Sequence, residues 1–367
     1  MKRLAALLIA ALPLLAQRGP AVVSPEVLPD HKVTFRVNAP KAAEVTFTGD
    51  WITTGGAQKM AKGDDGVWSI TLGPLAPATY IYSYTVDGIA MADPVNPRIK
   101  LRASGSGSLF DVPGEKPAVW QAQDVPHGDV QINWQKSQVL NGETRWFWVY
   151  TPPGYQKETT RRYPVLYLLH GSNDTAAGWT TAGSMNHILD NLIAQKKAVP
   201  MVVVMPFGHA VPFGAGRGSQ TVSNTILFEK YLLTDIMPTV EAKYRINANR
   251  DNRAIAGMSM GGEQAMAIAF GHMELFSGIG AFSPSMPREL AERWAPALED
   301  AKGTSAKMHS IWIACGRQDP SHLTASRQMD ETLKEKNVKH TYVETEGAHN
   351  YALWQWQLAE WAPQLFH

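Results

Sequence analysis

Three residues in the second half of the chain have the types and the order that nucleophilic acyl transfer requires. Ser259 stands at the centre of Gly257-Met-Ser-Met-Gly261, between a short apolar segment and a helical one. Asp319 and His349 follow in that order, each just after another apolar segment. A histidine base activates a serine hydroxyl by removing its proton, and a carboxylate holds the imidazole in the required tautomer. The pattern therefore predicts a catalytic triad of Ser259, His349 and Asp319.

Two parts of this hypothesis have alternatives. A glycine-rich turn can simply connect a strand to a helix, and Ser259 would then have no chemical role. The acid has rivals in Glu346, three residues before the histidine, and in Asp300. Asp319 is preferred because it closely follows a predicted strand, whereas Glu346 is expected to face solvent.

Acyl transfer also needs N–H donors for the oxyanion of the tetrahedral intermediate. The backbone N–H of Met260, directly after the nucleophile, is the first predicted donor. The second is predicted in the His-Gly turn that closes an earlier apolar strand, from the backbone of Gly171 or Ser172. No cluster of side chains has the spacing of a metal site, so the sequence predicts neither a metal nor an organic cofactor.

The elements that must position these residues alternate between strands and helices. Tyr163–Leu169 and Met201–Met205 are continuous apolar runs, as expected for strands covered on both faces. Helical segments separate the runs, and one from about 226 to 244 is expected to kink or restart at Pro238. This alternation predicts a doubly wound, mostly parallel sheet of the α/β-hydrolase type over residues 137–367, with the polar residues at the carboxyl ends of its strands.

The N-terminal part of the chain has a different pattern. Between residues 25 and 113, short segments such as Val67–Leu72 and Tyr80–Val86 alternate with a period of two, and turn residues separate them. This predicts a small all-β sandwich. Residues 114–136 are rich in proline and polar residues and predict a linker.

Aromatic residues in the predicted sandwich allow two interpretations. Trp68, Tyr80, Tyr82 and Tyr84 alternate in the manner of a core face, so they are expected to pack inside the sandwich. Trp51 lies beside the turn-like Gly49-Asp50 and is the candidate for stacking on a sugar ring.

The first sixteen residues indicate export. Residues 1–16 combine two basic residues with an apolar run of about a dozen, which is typical of a signal peptide and too short for a membrane span. The alternative is an uncleaved anchor. We therefore expect a secreted or periplasmic protein with no membrane contact after cleavage. The net charge of +1, without a basic run, gives no indication of nucleic-acid binding, and the single Cys315, expected in a buried strand, excludes an internal disulfide.

Several longer phrases resemble a known family. "YPVLYLLHGSND", "RAIAGMSMGGEQAMAIAF", "IWIACGRQD" and "HTYVETEGAHNYALWQWQLAEWAPQLF" resemble carbohydrate esterase family 1, which includes feruloyl and acetylxylan esterases and is similar to the esterase D group. The resemblance implies the same nucleophile, acid and base, and the one small departure is Met258, where the family more often has leucine. "VTFRVNAPKAAEVTFTGDW" and "DPVNP" resemble the immunoglobulin-like early-set domains of family 48 carbohydrate-binding modules, which implies an immunoglobulin-like sandwich.

These observations predict a secreted serine esterase that removes feruloyl or acetyl groups from a polysaccharide or oligosaccharide of the plant cell wall, such as xylan. The first alternative is an esterase of ferric siderophores, although a triply anionic substrate would favour a more basic site. An acyltransferase with the same triad is the next alternative. The alternative from another class is a polysaccharide-binding protein with an inactive hydrolase fold.

The substrate-contacting residues are predicted from their place after strands. The glycine-rich segment from Pro206 to Ser219 is expected to be a lid or an acyl-pocket loop, and the alternative is an insertion with no part in the site. Its candidate contacts are His209, Phe213 and Arg217. Trp179 and Trp354 are expected to be either pocket walls or structural residues.

Overall fold

A computed structural model describes residues 22–212 and 219–367. The predicted signal peptide (residues 1–16) lies outside the described residues, as do Phe213 and Arg217 of the predicted loop. Within the described part of the chain, no helix combines the length and the apolar character needed to span a membrane.

The N-terminal strands form two antiparallel sheets around one hydrophobic core. One sheet has the order β1-β2-β6-β5 and the other the order β4-β3-β7-β10-β9, with β8 paired to β7. The strands are β1 (Glu26–Val27), β2 (Val33–Asn38), β3 (Val45–Gly49), β4 (Gln58–Lys59), β5 (Ala61–Lys62), β6 (Val67–Leu72), β7 (Ala78–Val86), β8 (Ile89–Met91), β9 (Ile99–Leu101) and β10 (Ser106–Val112).

The predicted alternation in this sandwich is confirmed by burial. The side chains of Trp68, Tyr80, Tyr82 and Tyr84 are all buried in the shared core. The hydroxyls of Tyr82 and Tyr84 donate to one carboxylate oxygen of Asp93, at 2.7 and 3.1 Å, so the buried phenols are satisfied.

The C-terminal strands form a mixed sheet with the order β11-β12-β14-β13-β15-β16-β17-β18. Pairs β11–β12 and β12–β14 are antiparallel and the remaining pairs are parallel. The strands are β11 (Asp129–Lys136), β12 (Thr144–Thr151), β13 (Val165–Leu169), β14 (Val202–Pro206), β15 (Arg253–Met258), β16 (Gly278–Phe282), β17 (Ser310–Gly316) and β18 (Thr341–Thr345).

Helices connect the parallel strands and cover both faces of the sheet. They are α1 (Gly178–Thr181), α2 (Met185–Ala194), α3 (Ser219–Tyr231), α4 (Met237–Lys243), α5 (Met260–Gly271), α6 (Arg288–Glu292), α7 (Ala295–Glu299), α8 (Ala301–Lys307), α9 (Pro320–Glu335) and α10 (Tyr351–Trp361). This is the predicted α/β-hydrolase fold, and Cys315 is buried in β17 as expected.

One element differs from the sequence-based expectation, and the predicted helix restart at Pro238 is confirmed. The last eight residues of the predicted linker form the edge strand β11, whose side chains are mostly exposed, so no apolar run marked it as a strand. The predicted helix around Pro238 is divided by a π-helical turn, Leu232–Ile236. Pro238 then lies in the first turn of α4, where its missing N–H is not needed.

The sandwich packs against the helix that follows the predicted catalytic histidine. Ile81 of β7 and Leu109 of β10 belong to the same hydrophobic core as residues of α10, including Trp354 and Leu358. Residues of β7 lie beside α10 along this contact. The sandwich is therefore adjacent to the carboxyl edge of the parallel sheet, where the candidate site lies.

Candidate active site

Ser259 occupies a sharp turn between β15 and α5. Its backbone has φ 54° and ψ −122°, a strained conformation for a residue with a side chain. A Cβ on Gly257 would lie 2.5 Å from the carbonyl of Gly261, and a Cβ on Gly261 would lie 2.6 Å from the carbonyl oxygens of Leu169 and His170. The glycines are therefore required because the backbones approach too closely for any other residue.

Asp319 and His349 are brought together from the ends of β17 and β18. The Nδ1 atom of His349 lies 2.5 Å from Oδ2 of Asp319. Burial alone would raise the pKa of Asp319, but the hydrogen bonds and charges of His322 and His349 hold it well below its usual range. An ionised Asp319 accepts the Nδ1 proton of His349, which leaves Nε2 to receive a proton from the nucleophile.

His322 is a second histidine on the same carboxylate, and the sequence analysis missed it. Its Nδ1 atom lies 2.8 Å from Oδ1 of Asp319, and its ring is stacked on that of His349 with centroids 3.9 Å apart. The available signal was its position three residues after Asp319. Both oxygens of Asp319 are thereby engaged, which fixes the plane of the carboxylate.

The predicted oxyanion donors surround Ser259. Met260 is the first residue of α5, so its N–H has no intrahelical acceptor. A Cβ on Gly171 would lie 3.3 Å from Cβ of Ser259 and 2.9 Å from the sulfur of Met258, so this turn packs directly on the serine. Gly171, Ser172 and Ser259 line one cavity.

His170 braces this turn and is held neutral. Burial lowers its pKa, and its Nε2 atom accepts the N–H of Gly208 at 2.8 Å. Its Nδ1 atom must then carry the proton and donate to the carbonyl oxygen of Gly171, also at 2.8 Å. The turn after β13 is thereby tied to the segment after β14.

The cavity above Ser259 has a volume of about 160 Å³ and contains residues from both parts of the chain. The hydrolase part contributes Ser259 and His349, and the edge of the Trp354 ring meets the His349 ring with centroids 4.8 Å apart. The sandwich contributes four residues to the same wall: Asp50, Ile81, Lys100 and Arg102. The sequence analysis assigned none of these four to the site.

A buried ion pair joins the sandwich to the turn after β13, which contains Gly171 and Asp174. Lys100 of β9 is 1% exposed and donates to Oδ1 of Asp174, and the hydroxyl of Tyr351 donates to Oδ2 at 2.6 Å. Burial opposes the ionisation of Asp174, but the charge of Lys100 and the hydrogen bonds donated by Lys100 and Tyr351 outweigh it and lower the pKa of Asp174. One carboxylate therefore holds the sandwich, the turn that contains Gly171 and the start of α10.

Replacing Lys100 by methionine is expected to destabilise the fold by about 3–5 kcal/mol, because the buried carboxylate of Asp174 loses its cationic partner. Urea unfolding measures this loss. The kcat on a short-chain ester is expected to fall as well, because the turn and α10 lose their common anchor. Arg98→Met removes an exposed ion pair with Asp111 in the same sandwich and is expected to cost about 0–1 kcal/mol. Equal stability of the two variants would contradict this role for Lys100.

The other predicted contacts have different positions. Trp179 is fully buried and donates from Nε1 to the carbonyl oxygen of Leu169 at 2.9 Å, so the prediction of a pocket wall is wrong for this residue. Its apolar indole packs at the end of β13, where the carbonyl oxygen of Leu169 accepts the hydrogen bond of its single N–H donor. His209 is 6% exposed and packs beside His170, and burial lowers its pKa to about 3.

The two rival acids lie elsewhere. Glu346 is exposed and pairs with Arg317 at 3.0 Å. Asp300 caps the N-terminus of α8 by accepting the N–H of Gly303. Neither forms a hydrogen bond with His349 in the part of the chain that the structure describes.

Trp51 is half-buried, and one side of its ring packs against the core of the sandwich. Its ring lies 5.2 Å from that of Tyr80 and 5.5 Å from that of Phe110. It also lines a groove of about 670 Å³ between the sandwich and the hydrolase, together with Trp120 and Trp356. Sugar stacking by Trp51 stays a prediction.

One group of side chains away from Ser259 is close enough to hold a metal ion. Possible ligand atoms of His127, His187 and Asp190 lie within 4.8 Å of one another. Asp190 already accepts hydrogen bonds from the hydroxyl of Tyr150, the N–H of Gly128 and His127. These bonds explain the group as an anchor that fixes the segment before β11 to α2.

Comparison with families and curated proteins places this chain among esterases. Residues 137–365 match the family model Esterase, described as "Putative esterase". An endo-1,4-beta-xylanase/feruloyl esterase of Xylanibacter ruminicola is 31% identical over 353 residues, which are 93% of this chain and 46% of that protein. The chain spans about half or less of the length of the curated relatives it matches.

Solved structures with similar folds include a ferulic acid esterase and an enterochelin esterase. A ferulic acid esterase matches with a TM-score of 0.57 and 26% identity, covering 65% of this chain and 97% of that one. The enterochelin esterase of Shigella flexneri matches with a TM-score of 0.67 and 18% identity, covering 94% of this chain and 95% of that one. The second likeness concerns the fold and extends over both the sandwich and the parallel sheet.

Proposed function

This chain belongs to the esterase family whose model matches residues 137–365, and we propose that it is a secreted serine esterase acting on feruloyl or acetyl esters of plant cell-wall polysaccharide. The observation that carries the proposal is the hydrogen bond between His349 and Asp319 beside a cavity that contains Ser259. Secretion rests on the signal-like residues 1–16. The proposal also divides the chain into a sandwich over 25–113, a connecting segment and an esterase domain.

The proposed reaction proceeds through an acyl-enzyme. The Oγ atom of Ser259 attacks the ester carbonyl carbon while Nε2 of His349 takes the hydroxyl proton. The carbonyl oxygen becomes an oxyanion, which the N–H groups of Met260 and Gly171 or Ser172 stabilise. The intermediate collapses, and the alcohol leaves with the proton from His349. Water then attacks the acyl-enzyme by the same steps, releasing the acid and restoring the serine.

Two spaces of different character support an ester with an aromatic or small acyl group on a saccharide. The cavity of about 160 Å³ beside Ser259 has the apolar walls Ile81 and Trp354 and suits an acyl group. The groove of about 670 Å³ is lined by half-buried Trp51, Trp120 and Trp356 and borders the loop that contains His349. Asn350 lines both spaces, so a saccharide in the groove would place its ester near Ser259.

Names of relatives also favour this substrate class. The Xylanibacter protein is described as a xylanase and feruloyl esterase, and the similar solved structure is a ferulic acid esterase. The second candidate function is hydrolysis of a ferric siderophore. It is favoured by the enterochelin esterase's fold likeness over the whole chain and by Arg102, an exposed guanidinium at the cavity.

Parallel assays on methyl ferulate, acetylated xylan and a catecholate siderophore test the proposal. We expect hydrolysis of methyl ferulate or acetylated xylan with a higher kcat/KM than that for the siderophore. Turnover of the siderophore alone would establish the second candidate instead. Retention on xylan without hydrolysis of any ester would support a binding protein and overturn the proposal.

A further inference from the structure

Asp50 brings an unpaired carboxylate oxygen from the sandwich to the catalytic cavity. It directly follows β3 and lines the same space as Ser259 and His349. Its Oδ1 atom accepts the N–H of Ile81 at 3.1 Å. Its Oδ2 atom is buried and has no hydrogen-bond partner among residues 22–212 and 219–367. A buried polar atom without a partner is costly, so an unpaired oxygen on a residue that lines a catalytic cavity points to a ligand group that completes it.

The position of Asp50 is fixed from two sides. Its N–H donates to the carbonyl oxygen of Ile81 at 2.9 Å, which ties it to β7. Its own carbonyl oxygen accepts a hydrogen bond from the side chain of Asn350 at 3.4 Å. Asn350 is the residue directly after His349, so this hydrogen bond fixes the position of Asp50 relative to the loop that contains His349. A group held in this way can select a substrate by position.

The surroundings of Asp50 determine which ligand group fits its free oxygen. Lys100 and Asp174 line the same cavity as an ion pair, and Arg102 adds a positive charge, so a cationic ligand is disfavoured. Burial raises the pKa of Asp50 to about 7, against the opposing effects of the Ile81 N–H and Arg102. Near neutral pH the carboxyl group is therefore present in both protonation states. A hydroxyl group fits both states because it can donate to the carboxylate and accept from the acid.

The walls around the free oxygen specify where that hydroxyl is attached. Ile81, Met258, Tyr351 and Trp354 provide apolar and aromatic surface in the cavity that Asp50 and Ser259 also line. Such walls suit a flat aromatic acyl group whose ester carbonyl lies at the serine. A hydroxyl on the ring of such an acid lies away from the ester, where it can meet a polar atom of the cavity wall while the ester carbonyl lies at Ser259.

We propose that Asp50 forms a subsite for the ring hydroxyl of a hydroxylated aromatic acyl group, which makes it a specificity-determining residue supplied by the sandwich. The inference rests on the proposed esterase function and adds the class of acyl group to it. The sandwich then takes part in choosing the acid that is released, in addition to any contact with a saccharide.

Two esters that differ by one hydroxyl test this subsite. Methyl p-coumarate has the ring hydroxyl and methyl cinnamate lacks it. The parent protein is expected to have the higher kcat/KM for methyl p-coumarate. Asp50→Ala is expected to lower the ratio of the two kcat/KM values by about 10-fold, the loss typical of a hydrogen bond to a charged group. Asp50→Asn keeps an acceptor for the Ile81 N–H and places a neutral NH2 donor at the free oxygen, so it loses the bond to a charged acceptor and is expected to lower the ratio by less than Asp50→Ala does.

The control is Asp65→Asn, which alters an exposed turn carboxylate that also accepts a backbone N–H, that of Val67 at 3.0 Å. This control is expected to leave the ratio at its parental value. If Asp50→Ala fails to fold by thermal melting, the ratio for Asp50→Asn decides. A parental ratio in the folded Asp50 variants, or a parent without preference for the hydroxylated ester, overturns the subsite.

Hydrolysis of p-nitrophenyl acetate distinguishes this failure from failure of the proposed function. Turnover that depends on Ser259, combined with an unchanged ester ratio, removes only the subsite. Absence of turnover on every ester removes both the proposed function and the subsite that rests on it.

Discussion

The Ser259→Ala variant is expected to lose on the order of 10⁶-fold in kcat on a short-chain ester such as p-nitrophenyl acetate. The methyl group cannot form the acyl-enzyme, so both steps of the proposed reaction are lost. A residual acceleration of about 10³-fold over water is expected, because the oxyanion donors and the cavity remain. Initial rates of p-nitrophenol release measure the loss.

Ser69→Ala is the matched control for this change. Ser69 lies on β6 of the sandwich, outside the cavity that contains Ser259. Its replacement is expected to leave the rate within about 2-fold of the parent, as is usual for substitutions away from the site. A Ser259→Ala protein that keeps even a tenth of the parental turnover is incompatible with the proposed nucleophile.

Replacing Asp319 by asparagine is expected to lower kcat by about 10⁴-fold. An amide can donate to Nδ1 of His349, which favours the tautomer with the proton on Nε2, and that tautomer cannot accept the serine proton. Steady-state kinetics on p-nitrophenyl acetate measure the effect. Glu346→Gln is the control, because Glu346 is exposed and pairs with Arg317. A larger loss for Glu346→Gln than for Asp319→Asn would contradict the assignment of Asp319 as the acid of the triad.

Replacing His322 distinguishes two contributions to the function of Asp319: the orientation of its carboxylate and its contact with the base His349. His322 contacts Oδ1 of Asp319, whereas His349 contacts Oδ2, so His322→Phe is expected to reduce kcat far less than Asp319→Asn.

Because the folded protein lowers the pKa of Asp319, ionisation of this carboxyl contributes stability at neutral pH. That contribution is lost as the pH falls through the folded pKa.

The sequence was sufficient for features that follow from strand order and steric limits. Ser259, Asp319 and His349 were each placed after a strand of one parallel sheet, and the carboxyl ends of such strands meet at one edge. The close backbone contacts at Gly257 and Gly261 follow from the same turn. These inferences needed only local patterns and a topology rule.

Features that depend on contacts between distant segments could not be predicted. Lys100 and Asp174 are 74 residues apart, and their pairing depends on how the sandwich packs against the hydrolase. Asp50 was read only as part of a turn beside Trp51, because nothing in the sequence indicated that this turn faces Ser259. Trp179 has an indole N–H that can donate a hydrogen bond, and it follows a strand. These two signals do not distinguish a residue of a pocket wall from a buried structural residue.

Covalent labelling with a fluorophosphonate, followed by mass spectrometry of the digested protein, tests the central claim most directly. The reagent phosphonylates a serine only where a base activates the hydroxyl and donors stabilise the oxyanion. The account predicts one adduct per folded chain, on the peptide that contains Ser259, and no adduct after denaturation. An adduct on a different serine, or no adduct on the folded protein, would contradict it.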